Sequence, residues 1–176
     1  SGTTARPPSP EGQAIADMTA RLIACSGLLR DGFRFQTGAG ATSLAVARAL
    51  APVMAEHGIT GDFAAGGITG ALVEMFRAGL FRRLWDVQAF DGAAVRSYAE
   101  DAEHHAMSAE TYASPANPES IARQLDVMIL GAAEMDMAVK MTQQSAQEAL
   151  TMVKNYLQEL DSKVSMPKLL SEFLAD

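Results

Sequence analysis

Residues 33–47, Phe-Arg-Phe-Gln-Thr-Gly-Ala-Gly-Ala-Thr-Ser-Leu-Ala-Val-Ala, restrict the possible folds more than any other stretch of the chain. Phe33, Arg34 and Phe35 alternate apolar and charged, as a short strand does. Gln36 to Gly40 is a glycine-bearing turn. From Ala41 onward Val46, Leu50, Val53 and Met54 fall at helical spacing, and Thr42 and Ser43 can cap the helix start. A strand that passes through a glycine turn into a helix leaves free backbone N–H groups at the positive end of the helix dipole. Such a place can bind an anion, an oxyanion or a thioester oxygen. The turn is not a phosphate fingerprint, because Gly38 and Gly40 are followed by Ser43 where G-x-G-x-x-G needs its third glycine, and no G-K-[ST] is present. An ordinary tight β–α connection therefore stands beside the binding-site reading.

The same order recurs down the chain. Ser9-Pro10-Glu11 reads as N-cap, first helical position and first-turn acid, with Ile15, Met18, Leu22 and Ile23 on one helix face. The helix after the first turn runs to His57, with a kink or break expected at Pro52 and a stop at Gly58. Phe63 to Ala65 is a short strand, Gly66-Gly67-Ile68-Thr69 a second glycine turn, and a helix follows to about Ala78. Leu84 to Phe90 reads as a third strand, and Asp91 as the cap of a helix through Arg96. Pro118-Glu119 starts a short helix before the apolar run Leu125 to Leu130. Strands near 33–35, 62–65, 84–89 and 125–130 that alternate with helices predict an α/β domain: a mainly parallel sheet with helices on both faces. In such sheets ligands sit at the carboxyl ends of strands. That gathers two groups of candidates: Gln36, Thr37, Gly38, Ala39 and Gly40 in the first turn, then Gly66, Gly67, Thr69, Asp86, Gln88 and Asp91.

Charge and cysteine content exclude several function classes. A formal net charge of −7 argues against a nucleic-acid surface, which needs clustered Lys and Arg. Cys25 is the single cysteine, so no internal disulfide forms and a reducing cytosol is expected. No apolar run is long enough to span a bilayer, so neither a membrane nor a nucleic acid is expected as a partner, and the location expected is cytoplasmic. Residues 1–136 carry Arg and no Lys, residues 137–176 Lys and no Arg, and every glycine lies in the first part. We read this as a domain boundary. Ala146, Leu150, Val153, Leu157 and Leu160 form one apolar stripe, so residues 137–176 are expected to be a helical tail. It either covers the α/β part or supports self-association.

The segments Ser1-Gly-Thr-Thr, Ser26 to Gly40, Gly66-Gly-Ile-Thr, Gly79-Leu-Phe-Arg-Arg-Leu-Trp-Asp-Val-Gln-Ala-Phe-Asp and Gln124-Leu-Asp-Val-Met-Ile-Leu-Gly-Ala together resemble the citrate lyase alpha subunit family. The resemblance covers about residues 1–136, and the run from Gly79 to Asp91 is its most specific part. It implies a fold of the CoA-transferase type, normally built from two similar halves, so the chain reads as an internal fragment. It implies a citrate CoA-transferase-like activity: exchange of acetyl for citryl on the phosphoribosyl-dephospho-CoA arm of an acyl carrier protein. Nothing is expected to be bound covalently to this chain. The partners implied are that carrier, the lyase subunits of a citrate lyase complex, and citrate and acetate. Related CoA-transferases place a nucleophilic Glu after the second glycine turn, where this chain reads Thr69-Gly70-Ala71-Leu72. Glu74 is close but fits a helix surface, so no catalytic residue is assigned.

The thioester or pantetheine portion is assigned to Gln36–Gly40, and substrate binding to Gly66, Gly67, Thr69, Asp86, Gln88 and Asp91. Adjacent His104 and His105 cannot converge on one metal as an i, i+4 pair does, so no metal site is assigned. With Asp101 and Glu103 they read as a solvated polar loop. His57 reads as a helix-end residue that suits the dipole, and Cys25 as a buried small side chain. Two functions stand: a transferase that is inactive as an isolated fragment, and a non-catalytic α/β scaffold with an oligomerising tail.

Overall fold

The structure, a computed structural model, describes residues 7–129. The expected helical tail, the composition boundary at 136 and the start of the chain lie outside the described residues. The elements are α1 (Pro10–Cys25), β1 (Arg34–Thr37), α2 (Ala41–His57), β2 (Gly61–Ile68), α3 (Gly70–Arg77), β3 (Phe81–Ala89), α4 (Gly92–Glu100), β4 (His104–Ala106), α5 (Ala109–Ala113), α6 (Ile121–Gln124) and β5 (Val127–Ile129). The strands form one parallel sheet in the order β4-β3-β2-β1-β5.

Strand alternation sorts side chains onto the two faces. Ala64, Leu84 and Val127 turn to one face, where they join Ile23 of α1, Leu50 and Met54 of α2, Leu72 of α3 and Ala94 of α4 in the main core. Phe63, Ala65, Trp85 and Met128 turn to the other, where Ile121 of α6 and Tyr112 of α5 cover them. Helices therefore lie on both faces, as the apolar strands require.

The centre of the main core is aromatic. Phe33, Phe35 and Phe81 are packed with centroids 5.6 to 6.2 Å apart. Gly61, the first residue of β2, makes room for them: a Cβ there would sit 2.5 Å from the Phe81 ring and 3.1 Å from the Phe33 carbonyl oxygen.

Several local expectations are corrected. In α1 the buried positions are Gly12, Ala16, Ala20 and Ile23, while Ile15 and Met18 are exposed. Small residues face inward because α1 lies very close to α2: a Cβ on Gly12 would be 2.9 Å from the Thr42 hydroxyl oxygen. Cys25, at the end of α1, is exposed rather than buried. The α2 helix is unbroken at Pro52 and stops at Gly58, whose φ of 64° suits glycine. Asp126 interrupts the final apolar run for a reason visible in space. Its carboxylate accepts from the Arg34 backbone N–H at 2.9 Å and from the Arg30 guanidinium at 3.0 Å, which fixes the start of β5 against β1.

Gly61→Ala should lower the unfolding free energy by about 1–3 kcal/mol, because the ring it meets is locked in the core. Urea unfolding measures this directly. An unchanged midpoint would show that the Phe81 ring can give way.

Candidate functional site

The strand order reverses at β1. The chain steps from β1 through β2 and β3 to β4 in one direction, then returns to place β5 on the other side of β1. In open α/β sheets the crevice outside the carboxyl ends of the strands at such a switch is the usual ligand site. Gln36 and Thr37, expected in the turn, are the last residues of β1; the turn itself is Gly38–Gly40 and lies at this crevice.

The turn is held from both sides. The buried Thr37 hydroxyl donates to the Ser43 carbonyl at 2.9 Å, so it ties the end of β1 to the first turn of α2. The Gly38 N–H donates to the Ile129 carbonyl at 3.2 Å and continues the ladder with β5. Thr37 and Gly38 thus have structural duties. Gly40 is the N-cap of α2 and brings no side-chain cap; Thr42 and Ser43, expected to cap, lie inside the first turn instead. The Leu44 N–H is the first to bond back, to the Gly40 carbonyl at 2.9 Å. Among the described residues nothing accepts from the N–H groups of Ala39 to Ser43. These donors lie at the positive end of a 17-residue helix, a place whose electrostatics suit an anion.

The second glycine segment differs from its expected form. Gly66, Gly67 and Ile68 are not a turn but the last residues of β2. Gly66 has φ 107°, which few side chains tolerate, and a Cβ there would lie 3.2 Å from Cγ of Gln36. Gln36 and Gly66 are therefore in contact, and the Tyr112 hydroxyl donates to Oε1 of Gln36. Burial pushes the Tyr112 hydroxyl up from its usual range, and the bond to Gln36 opposes this. Gly67 leaves space for the Phe90 ring, which a Cβ would meet at 2.0 Å.

Asp86 and Gln88 do not share an environment. Gly66 pairs with Asp86 but Gly67 pairs with Gln88, so β3 carries Val87 as an extra residue. The bulge breaks the alternation: Asp86 is buried, whereas Val87 and Gln88 are both exposed. Asp91 is committed on both carboxylate oxygens. Oδ1 accepts from the N–H groups of Ala93 and Ala94, each at 3.0 Å, and Oδ2 accepts from the Gly70 N–H at 2.7 Å. One side chain therefore caps α4 and holds the first residue of α3. Thr69, the N-cap of α3, is buried, and its hydroxyl oxygen has no partner among the described residues. Glu74 is exposed on α3, as expected of a helix surface.

His104 is a site that sequence reasoning missed. It is fully buried on β4, not solvated in a loop. Its Nε2 lies 3.3 Å from Oδ2 of Asp86 and its Nδ1 lies 2.9 Å from the Ser97 hydroxyl. The Ser97 hydroxyl donates to Asp101 at 2.7 Å, and Asp101 also pairs with Arg77 at 2.8 Å. A three-residue strand is too short to show alternation, so nothing local marked His104 as inward. His105, its neighbour, packs on Trp85 with ring centroids 4.9 Å apart. A cavity of about 510 Å³ opens along this edge of the sheet, lined in part by Tyr98, Asp101, His104 and His105. It lies away from the crevice at β1.

Asp91→Ala removes acceptors from three backbone N–H groups at two helix starts, so it should destabilise by about 1–4 kcal/mol, twice the range for one cap. Urea unfolding tests this; a loss below about 0.5 kcal/mol, the low end for a single cap, would mean that water replaces the carboxylate at both helices.

The comparisons with known proteins agree with this architecture. A family model described as "Citrate lyase, alpha subunit (CitF)" matches residues 1–149. The chain is 41% identical over 128 residues to the citrate lyase alpha chain of Klebsiella pneumoniae, covering 73% of this chain and 25% of that one. It is 42% identical over 135 residues to the Haemophilus influenzae citrate lyase alpha chain, covering 77% and 27%. Among solved structures it resembles one described as the alpha subunit of citrate lyase from Streptococcus mutans in complex with citrate. That likeness has a TM-score of 0.68 and 38% identity, over 71% of this chain and 25% of the other. The chain spans about a quarter of the length of the relatives it matches. With its family model matched over most of its length and its parallel sheet shared with a solved member, the chain belongs to the citrate lyase alpha subunit family.

Proposed function

We propose that this chain is a portion of a citrate CoA-transferase-type enzyme that exchanges acetyl for citryl on an acyl-carrier thioester. The observation that carries the reading is the uncapped N-terminus of α2 at the crevice between β1 and β5. A carboxylate oxygen of citrate attacks the acetyl thioester carbon and expels the carrier thiolate, which leaves an acetyl–citryl anhydride. The thiolate then attacks the citryl carbonyl carbon and expels acetate. Neither step needs a nucleophile from the enzyme, which suits a chain that reads Thr69-Gly70-Ala71-Leu72, without Glu, just after the second glycine segment. Both steps place negative charge on a carbonyl oxygen. Fixed N–H donors in a dry site stabilise such charge, and one donor is worth about 10²–10³ in rate.

The N–H groups of Ala39, Gly40 and the first turn of α2 are the donors in this reading. Gln36, held by Tyr112 and resting on Gly66, borders them on the β2 side. The acyl group arrives on the phosphoribosyl-dephospho-CoA arm of a carrier protein, and the lyase subunits of the complex take the citryl product. Citrate as the substrate is supported by the citrate in the Streptococcus mutans relative. Among the described residues no helix is long and apolar enough to cross a membrane.

Gly40 gives a clean test. Its φ of −71° and ψ of 155° suit any residue, and a Cβ there would only approach Ser43 Oγ at 4.0 Å. Gly40→Val should therefore fold normally and block a ligand at the helix start. Calorimetry with a CoA analogue should show at least a tenfold loss of affinity; equal affinity rejects the assignment. For the activity, the chain is mixed with acetyl-loaded carrier protein and citrate, and citryl-carrier is followed by mass spectrometry. We expect no useful turnover, since the family's site is built between two halves and this chain spans about a quarter of its relatives. Robust turnover would show that this portion is sufficient.

A further inference from the structure

Ser97, Asp101 and Arg77 determine where the proton on His104 must be. Asp101 pairs with Arg77 through Oδ2 at 2.8 Å and also takes the Ser97 hydroxyl proton at 2.7 Å. Those bonds, Ser97 first and then Arg77, hold the Asp101 carboxyl below its usual range, so it is an acceptor only. Ser97 has a single proton and gives it to Asp101. Towards His104 Nδ1, at 2.9 Å, Ser97 can only accept. Nδ1 therefore carries a hydrogen, and the state of Nε2 remains to be decided.

Nε2 faces Oδ2 of Asp86 at 3.3 Å, with His104 fully buried and Asp86 6% exposed. Two lone pairs would repel at that distance, so a proton lies between them. Two charged groups in that space would lose their hydration with little in return: Oδ1 of Asp86 has no hydrogen-bond partner, and the Gln88 and Ile68 backbone N–H groups offset only part of the burial. We propose that Asp86 is a neutral carboxylic acid that donates its Oδ2 proton to Nε2 of a neutral His104, so that one shared proton clamps β3, β4 and α4 together. Burial favours the neutral form of both groups. It raises the Asp86 carboxyl, against the Gln88 and Ile68 backbone N–H groups and His104, and it lowers the His104 ring, against Asp86 and Asp101. The other groups around the pair are His105 on β4, which disfavours charge on His104, and Tyr98 of α4, whose ring meets the His104 ring edge-on at 5.7 Å. Glu100 of α4 is directed to Arg77, and Glu103 to His105. The inference does not depend on what the crevice binds.

Proton counting gives the sign. Unfolded, the pair holds two protons below about pH 3.9, one between about 3.9 and 6.5, and none above. Folded, it holds one across this range. Stability from the pair is therefore greatest between those values, falls as pH rises above about 6.5, and falls as pH drops below about 3.9. In Asp86→Asn the amide donates to Nε2 and no proton is held, so the folded variant gains on the wild type as pH rises.

The test uses the full chain. Nitrogen-15 NMR between about pH 6 and 8, with His104 assigned through His104→Gln, should show a neutral ring with hydrogen on Nδ1 and none on Nε2. A ring with hydrogen on Nε2 alone, or on both nitrogens, overturns the proposal. Urea unfolding of wild type and Asp86→Asn from about pH 5 to 9 should show the ratio of their unfolding constants moving about tenfold per pH unit towards the variant. A ratio independent of pH also overturns it. The NMR measurement uses the unaltered chain, so hydrogen on Nε2 overturns the proposal whether or not the variant folds.

Discussion

A parallel sheet has to be covered on both faces, and in this chain that requirement sets almost everything else. Parallel neighbours need crossover connections, and right-handed crossovers that step from β1 to β4 put α2, α3 and α4 on one face. The other face would be left bare. The chain covers it by running back through α5 and α6 to add β5 beside β1. That return creates the reversal in strand order, and the reversal creates the crevice. The candidate site is thus a by-product of the way the sheet buries its second face.

The carboxyl end of the sheet is also where its regularity is given up. Gly66 takes a positive φ beneath Gln36, Gly67 yields to the Phe90 ring, and β3 bulges at Val87. The bulge turns Asp86 inward to His104 and leaves Gln88 outside. Asp91 then spans two helix starts with one carboxylate. These features stiffen the rim next to the crevice without occupying the α2 N-terminus. The transfer proposed here would need donors that are held still while charge develops on an oxygen.

The family membership and the local physics support one another at different scales. Likeness to citrate lyase alpha chains matches the chain to about a quarter of their length. The geometry says which atoms of that quarter are available: the N–H groups at Ala39 to Ser43 are open among the described residues, while Thr37, Gly38 and Asp91 are engaged in holding the fold.

Local chemistry alone specified much of this protein. The order strand, glycine, helix is written in apolar periodicity and in turn residues that act within a few positions, so the parallel α/β layout, the Ser9 and Asp91 caps and the Gly58 stop were legible from the chain. So was the start of α2 after the Gly38–Gly40 turn, where backbone N–H groups meet the positive end of the helix dipole. What only tertiary structure decided depended on partners far away in sequence. Ile15 and Met18 have the periodicity of a buried face, yet the closeness of α1 to α2 admits only small residues and turns them outward. Gly66 and Gly67 look like a turn, but pairing with β3 extends them into strand. His104, beside a second histidine and among acids, looks solvated; a three-residue ladder to β3 buries it against Asp86 and Ser97. Propensity and capping act over one helical turn, whereas burial is set by whichever surface the fold brings alongside.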